Sequence, residues 1–236
     1  EWHWLRYHKR PSVPATMFDI LNGARFIKNL NARKKFDILH ARSHVPMMMA
    51  AVARKISPNK PKLLFDIRGF MPEEYVDAGV WPAGGVIFRG VKRVENWLMK
   101  EADAFVVLTE KALEILADEI GMRLVEVIPC CVDSKRFESA NDESRRQIRS
   151  ALGIGDRFTF AYVGAFGGWY LTNETADFLG VLKQKKDDSF ALILTQSDPE
   201  MIRSLLEKRG YSSSDLFIGR VVSEDIPRYL SAADAA

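Results

Sequence analysis

Residues 158–173 read FTFAYVGAFGGWYLTN, in which a short apolar run passes through a glycine-containing turn into a segment of helical period. Short runs that are apolar on both faces are typical of strands in a parallel sheet. Six further runs share this character and alternate with helical segments, at residues 36–40, 62–67, 104–108, 125–128, 190–195 and 216–219. Alternating strands and helices joined by right-handed crossovers predict a doubly wound α/β architecture.

Capping residues indicate where the helices begin and end. Thr109 precedes an apolar stripe that stops at Gly121, which predicts a helix with a hydroxyl N-cap and a C-terminal glycine. Ser197 and Glu200 have capping-box spacing, so Ser197 is expected to open another helix. Apolar positions at helical spacing predict a longer helix over residues 84–102.

A charged stretch interrupts the alternation at residues 133–156. It is only weakly amphipathic and closes with Gly-Ile-Gly, a composition typical of a connector. We therefore predict two domains, residues 1–153 with the connector included and residues 154–236.

Composition excludes several classes of protein. With 47% hydrophobic and 28% charged residues over 236 positions, we expect a globular protein rather than a disordered one. No apolar stretch reaches the roughly 18 residues of a membrane-spanning helix. No secretory leader is visible, and the two cysteines, Cys130 and Cys131, are adjacent, which excludes a disulfide framework. We expect a cytoplasmic protein whose thiols pack as small apolar groups.

Positive charge concentrates at the start of the chain. Residues 1–35 hold eight Lys and Arg against two acidic residues, a net charge of +6, whereas the whole chain carries +3. This segment could bind an anionic membrane surface or phosphates, and a helix with a solvated basic face is the alternative. Nucleic acid is not expected, because no nucleic-acid-binding signature accompanies the charge.

The turn after residues 158–163 is a candidate phosphate site. Gly164, Gly167 and Gly168 allow backbone N–H groups to approach an anion, and a helix predicted to start near Thr172 adds partial positive charge. The spacing matches neither a Rossmann dinucleotide site nor a P-loop. From the residues alone, an ordinary strand-to-helix turn explains the glycines equally well.

Ionisable residues follow two other predicted strands. His40, Arg42 and His44 lie at or just after the carboxyl end of the first predicted strand, and Asp66 and Arg68 lie at or just after that of the second. Ligands of open α/β sheets bind at the carboxyl ends of the strands, so these side chains are candidates for contacting an acceptor hydroxyl or a phosphate. A structural histidine and an ion pair within the loop remain open alternatives.

Taken in order, these stretches resemble the family 4 glycosyltransferases of GT-B fold. HARSH at residues 40–44 and DIRG at residues 66–69 belong to the match. Its other parts are residues 77–81, 95, 102–109, 127–129, 132–133, 136–137, 162–164 and 217–221, followed by residues 226–234. The resemblance implies two Rossmann-like domains facing a cleft, the first binding mainly the acceptor and the second a nucleoside diphosphate sugar.

The resemblance also implies a reaction and its site residues. The reaction is retaining transfer of a hexose-type sugar to an acceptor hydroxyl, with no metal or other cofactor. A saccharide or a lipid-linked acceptor would suit polysaccharide or glycolipid synthesis. The catalytic candidates on the acceptor side of the cleft are His44, Arg42, Asp66 and Arg68. His40 and Gly69 also line this side. The donor-binding candidates are Gly164, Gly167, Gly168, Thr195, Arg220 and Val221.

Two departures from the family pattern stand out. Members usually carry an Arg after the glycine that corresponds to Gly164 and a Lys a few positions later, whereas this chain has Ala165 and an uncharged run over residues 169–173. The family's first strand and its terminal donor-binding segment are also missing. We therefore expect a chain truncated at both ends, with an incomplete second domain and no activity by itself. Two other functions remain open: a nucleotide-sugar epimerase of the same fold, and a non-catalytic binding module.

Overall fold

The apolar runs form strands that build two separate parallel sheets. In the computed structural model, which describes residues 1–8, 10, 12–168 and 170–236, the chain divides into two compact units. Unit 1 is Glu1–Cys130 and unit 2 is Cys131–Ala236. Lys9 of the basic segment and Trp169 of the glycine loop lie outside the described residues.

Unit 1 contains a four-stranded sheet. Its strands are β1 (Ile38–Arg42), β2 (Lys62–Asp66), β3 (Ala104–Val107) and β4 (Leu124–Val127). They pair in the order β1-β2-β3-β4, and every neighbouring pair is parallel. The helices are α1 (Ser12–Lys34), α2 (His44–Ile56), α3 (Met71–Asp77), α4 (Val86–Glu101) and α5 (Glu110–Ile120).

The core of unit 1 explains why its strands are apolar on both faces. Phe105, Val106 and Val107 are consecutive in β3 and all buried, and because side chains alternate along a strand, both faces of β3 are covered. Met47 of α2 and Leu98 of α4 are buried in the same cluster as Phe105. The predicted parallel sheet is confirmed.

Unit 2 contains a three-stranded parallel sheet. Its strands are β5 (Thr159–Val163), β6 (Phe190–Leu194) and β7 (Leu216–Gly219), paired in that order. The helices are α6 (Asp142–Ala151), α7 (Thr172–Lys185), α8 (Pro199–Glu207) and α9 (Ile226–Leu230), with 3-10 turns at Ser134–Ser139, Ser213–Asp215 and Ser223–Asp225. All five residues of β6, the central strand, are buried.

The division between the units differs from the boundary predicted after residue 153. Helix α6, which lies in the predicted connector, packs in unit 2, where Ile148 shares a core cluster with Ile154 and Ala161. Arg145 donates hydrogen bonds to the carbonyl oxygens of Ser231 and Ala233, at 2.9 and 2.8 Å. These long-range contacts give no signal in the local sequence.

One predicted helix cap is confirmed and another is wrong. Thr109 Oγ1 accepts a hydrogen bond from the amide of Ala112 at 3.0 Å, at the start of α5. The N-cap of α8 is Asp198 rather than Ser197, because Asp198 accepts from the amide of Glu200. The Ser197 hydroxyl instead accepts from the amide of Phe166 at 2.9 Å.

Within the described ranges, no helix is both long enough and apolar enough to cross a membrane.

Candidate functional site

The carboxyl ends of β1 and β2 bring four of the predicted residues to one edge of the unit 1 sheet. Asp66 lies opposite Arg42 in the register of the two strands. His40 Nε2 is 3.4 Å from Asp66 Oδ2, and Arg68 Nη1 is 3.6 Å from Asp66 Oδ1. The sequence predicted a strand that ends at residue 40, whereas β1 extends to Arg42, so Arg42 lies within the strand.

Asp66 has one carboxylate oxygen that makes no hydrogen bond, although Arg68 Nη1 lies 3.6 Å from it. Its side chain is only 8% exposed, and Oδ1 is buried without a hydrogen-bond partner in the part of the chain that the structure describes. An acceptor left buried and unpaired is costly, and bound ligands often satisfy such groups. Asp66 can therefore accept a hydrogen bond from a ligand hydroxyl.

A strained residue places His44 at the start of α2. Ser43 has φ of 72°, a left-handed conformation that non-glycine residues adopt with difficulty, and its amide donates to the Asp66 carbonyl oxygen at 2.8 Å. The strand therefore turns sharply into the helix, and His44 becomes the first helical residue. Strain of this kind concentrates at functional sites.

His44 belongs to a chain of ionic contacts. Its Nε2 lies 2.8 Å from Glu95 Oε2, and both side chains are more than 90% buried. Lys92 Nζ contacts Glu95 Oε1 at 2.5 Å and Glu73 Oε1 at 2.8 Å. Burial raises the pKa of the Glu95 carboxyl, but the hydrogen bonds from His44 and Lys92 lower it more, so that the pKa lies below its usual value. Glu95 is a buried carboxylate.

The second strand-end loop contacts a cysteine. Arg68 Nη2 donates to Cys130 Sγ at 3.3 Å. Cys130 and Cys131 are both exposed, so the prediction that they pack as buried apolar groups is wrong. They follow β4 in an open loop instead of entering the core. Gly69 sits against Glu74, since a Cβ at Gly69 would come within 2.0 Å of Glu74 Oε1.

The glycine loop of unit 2 connects β5 to α7. Gly164 N–H donates to the Leu194 carbonyl oxygen at 3.1 Å, and Gly167 N–H donates to Thr172 Oγ1 at 2.7 Å. Gly167 and Gly168 have φ of 89° and 62°, which only glycine adopts readily. Two predicted phosphate donors, Gly164 and Gly167, therefore already donate within the protein.

Other amides of the loop are available to a ligand. Those of Ala165 and Gly168 have no hydrogen-bond partner among the residues that the structure describes. Tyr162 stabilises the conformation of the loop, because its hydroxyl donates a hydrogen bond to the Ala165 carbonyl oxygen at 2.8 Å. In the first turn of α7, the Thr172 amide already donates to the Tyr170 carbonyl oxygen at 2.8 Å, whereas the amides of Asn173 and Glu174 have no partner within the described part of the chain.

A cavity of about 300 Å³ opens at the carboxyl ends of β5, β6 and β7. Four predicted donor-binding residues line it: Gly164, Thr195, Arg220 and Val221. Gly167 and Gly168 are not part of this lining. Thr195 is fixed by its amide, which donates to the Gly219 carbonyl oxygen at 2.9 Å. Arg220 is exposed and forms no ion pair in the described ranges.

Sequence reasoning missed several of these residues. Ala165, Gln196 and Ile226 also line the cavity, and the position of Gln196 one residue beyond a predicted strand could have indicated it. Glu95 was noted only as part of the family match, and Lys92 lies on the helix predicted over residues 84–102 with no role assigned to it. No local pattern could link Glu95 to His44, which is 51 residues away.

Comparisons with known proteins identify the fold and the family of this chain. The curated 2-deoxystreptamine glucosyltransferase of Streptomyces kanamyceticus is 24% identical over 152 residues, covering 61% of this chain and 38% of its own. Sucrose-phosphate synthase from Thermosynechococcus elongatus has a TM-score of 0.69 at 16% identity, over 98% of this chain and 56% of its own. HepE from Anabaena, solved with UDP and glucose, has a TM-score of 0.63 at 14% identity, over 98% and 57%.

The match to solved structures establishes the fold, an α/β architecture of GT-B type with two Rossmann-like parallel sheets. The chain spans little more than half the length of these structures. Residues 1–136 match the sequence family described as Glycosyltransferase Family 4, which is more than half of the chain. This chain belongs to Glycosyltransferase Family 4.

Proposed function

We propose that this chain is part of a retaining glycosyltransferase that moves a hexose-type sugar from a nucleoside diphosphate sugar to an acceptor hydroxyl. Unit 2 binds the donor and unit 1 binds the acceptor, a saccharide or a lipid-linked sugar of polysaccharide or glycolipid synthesis. The printed descriptions of the relatives, a glucosyltransferase and a protein solved with UDP and glucose, support sugar transfer.

The observation that carries the proposal is the cavity of about 300 Å³ at the strand ends of unit 2. Its volume suits a nucleoside, and it adjoins a loop whose Ala165 and Gly168 amides have no hydrogen-bond partner among the described residues. Backbone N–H groups and the start of α7 can hold a diphosphate without a metal ion. Metal independence itself stays a prediction.

Arg220 supplies the positive charge that the glycine loop lacks. The family's usual Arg and Lys are absent from this loop, and Arg220 lines the cavity together with Gly164 and Ala165. A guanidinium can pair with a phosphate through two parallel hydrogen bonds. Arg220, which directly follows β7, is therefore the cationic partner of the departing diphosphate.

Calorimetric titration of the 236-residue chain with UDP, ADP and GDP tests donor binding. We expect at least one of them to bind, and Arg220→Gln to weaken that binding roughly 10- to 100-fold, the equivalent of one charge-assisted hydrogen bond. Arg146→Gln on α6, a 71% exposed arginine, is the matched control. Absence of binding to all three nucleotides, or equal losses in the two variants, would refute the proposal.

Transfer and its stereochemistry need the full-length gene product. Incubation with a nucleoside diphosphate sugar, with and without an acceptor, should give an acceptor-dependent product whose anomeric configuration by NMR equals that of the donor. A changed sugar in the absence of acceptor would indicate an epimerase instead. If the nucleotide binds but neither hydrolysis nor transfer of the sugar is detected, the protein is a binding module. Inactivity of the 236 residues alone stays a prediction.

We also propose that α1 contacts an anionic membrane surface, where a lipid-linked acceptor would be found. Met17, Phe18 and Leu21 are more than half exposed on α1, and Arg25 follows one turn later on the same side. Apolar side chains beside basic ones favour the headgroup region of an anionic bilayer. The alternative is a solvated basic face.

A further inference from the structure

We propose that Glu95 is a positioning residue that holds His44 in one tautomer, with the proton on Nε2 and the lone pair of Nδ1 free to accept a hydrogen bond from the acceptor sugar. This inference rests on the proposed function, since it takes unit 1 as the acceptor side. His44 and Glu95 are both buried and lie 51 residues apart in the sequence.

The geometry fixes which nitrogen of His44 meets Glu95. The 2.8 Å contact joins Nε2 to Oε2, and the side chains are 5% and 8% exposed. The ring of His44 also meets Phe65 edge to face, with centroids 5.5 Å apart and planes at 89°. A ring held from two sides in the core cannot rotate freely to exchange its nitrogens.

The charge of Glu95 decides the tautomer. An ionised carboxylate can only accept hydrogen bonds, so the nitrogen that faces it must carry the proton. Glu95 stays ionised in spite of its burial, because Lys92 Nζ contacts its other oxygen at 2.5 Å. Burial lowers the pKa of Lys92, but hydrogen bonds to Glu73 and Glu95 raise it more, so Lys92 is a cation.

The remaining nitrogen is the one available for a ligand. Nδ1 of His44 has no hydrogen-bond partner in the described portion of the chain. In a neutral imidazole whose Nε2 is protonated, Nδ1 is an acceptor. His44 leads α2 directly after the strained Ser43, at the same sheet edge as the unsatisfied Asp66 Oδ1. Under the proposed function, His44 Nδ1 and Asp66 Oδ1 are therefore two candidate acceptors for hydroxyl groups of the acceptor sugar.

The first test measures the tautomer directly. Two-bond ¹H–¹⁵N spectra of the ¹⁵N-histidine-labelled chain distinguish the forms of its four histidines. We expect His44 to show the proton on Nε2 alone in the wild type. A proton on Nδ1, or a mixture, would overturn the inference even if no variant folded.

Substitutions then test whether the Glu95 carboxylate fixes the tautomer of His44. Glu95→Ala should convert His44 to a mixture of tautomers, whereas the control Glu101→Gln should not. Glu101 lies on the same helix and pairs with Arg54 and Lys55 at 3.0 and 2.8 Å, so its substitution also breaks two ion pairs, although its side chain is 19% exposed against 8% for Glu95. An unchanged single tautomer in Glu95→Ala would contradict the assignment.

Turnover of the full-length product links the pair to function. We expect Glu95→Ala and His44→Ala each to lower kcat roughly 10- to 100-fold, and the double variant to be no slower than His44→Ala, because coupled residues are not additive. Additive losses would overturn the coupling. If the product transfers no sugar, the proposed function fails, whereas the tautomer spectra still decide whether Glu95 positions His44.

Discussion

Substitution of Gly168 tests directly whether the glycine loop of unit 2 binds a diphosphate. Its φ is 62°, and a Cβ there would meet nothing within 4 Å, so a larger side chain fits but fills the space beside the free Gly168 amide. We expect Gly168→Leu to lower nucleoside diphosphate affinity at least tenfold, about 1.4 kcal/mol. Calorimetric titration of the folded variant measures this change.

Gly155 provides the control for that experiment. It has the same φ of 62°, also meets nothing within 4 Å, and lies outside the loop. Leucine in the left-handed region costs roughly 1–2 kcal/mol at either position. Gly155→Leu should therefore match Gly168→Leu in lost stability but bind nucleotide normally. Unchanged affinity in Gly168→Leu would exclude a phosphate beside this residue.

Single residues also show how far the sequence predicted the site. His40 of β1 and Asp66 of β2 come together because β1 and β2 are neighbouring parallel strands, and Arg68 follows Asp66 by two residues. The strand pattern predicted only that ionisable residues gather at these strand ends. Glu95 depends on how α4 packs against α2, and no local pattern encodes that packing. The exposed Cys130 was mispredicted because apolar residue type does not determine which side of a loop faces water.

At the scale of elements, Asp103 joins three parts of unit 1. It lies between α4 and β3, and its carboxylate accepts from the Leu63 amide of β2 at 2.8 Å and from Arg54 of α2 at 2.7 Å. Burial raises the pKa of Asp103, but the Leu63 hydrogen bond and the charges of Lys62 and Arg54 lower it more, to below its usual value.

A lowered pKa in the folded state stabilises the fold at neutral pH. Because the carboxylate is about a third exposed, we expect Asp103→Asn to cost roughly 1–2 kcal/mol near pH 7. The stabilisation is complete above the unfolded pKa of about 3.9 and is lost as pH falls through the lower folded pKa. Denaturant unfolding should thus show a wild-type advantage near pH 7 that shrinks below about pH 4. A constant difference would contradict this account.

Helix α1 carries the membrane prediction. Replacing Arg33, Lys34 and Lys35 with Gln removes three of the positive charges, and each contributes about 1 kcal/mol near an anionic bilayer. Binding to vesicles containing phosphatidylserine at low salt should therefore fall by more than tenfold in a sedimentation assay.

A second variant separates charge from apolar contact. Phe18→Ser should also weaken vesicle binding, since Phe18 is 58% exposed on α1. Lys111→Gln on α5, 76% exposed and paired only with Glu114 at 2.7 Å among its described contacts, serves as a control. Unaltered binding in the triple variant would leave the basic segment a solvated face.

At the scale of the whole molecule, the division of the chain predicts which pieces fold. Residues 131–236 keep α6 with its partners in unit 2, whereas residues 154–236 lose Ile148 from the core and the Arg145 contacts. We expect the longer piece to give a dispersed NMR spectrum with cooperative unfolding, and the shorter piece to aggregate or remain disordered. Equal folding of both would place the boundary after residue 153.

The two-sheet fold was more predictable than the boundary between its units. Strands and crossovers leave a periodic signal over each run of residues, as β6 and β7 illustrate. The attachment of α6 depends on contacts between residues more than 80 positions apart, such as the hydrogen bond from the Arg145 guanidinium to the Ser231 carbonyl oxygen. Such contacts follow from the folded chain and not from the composition of the connector.

The complete burial of β6 limits how this protein can diversify. Every residue of β6 is enclosed, so substitutions there disturb packing on one side or the other. The positions that face the cavity without supporting the core, such as Gln196 and Arg220, are exposed loop residues. If the proposed function holds, substitutions at these rim positions should change the nucleotide preference while the thermal stability stays nearly constant.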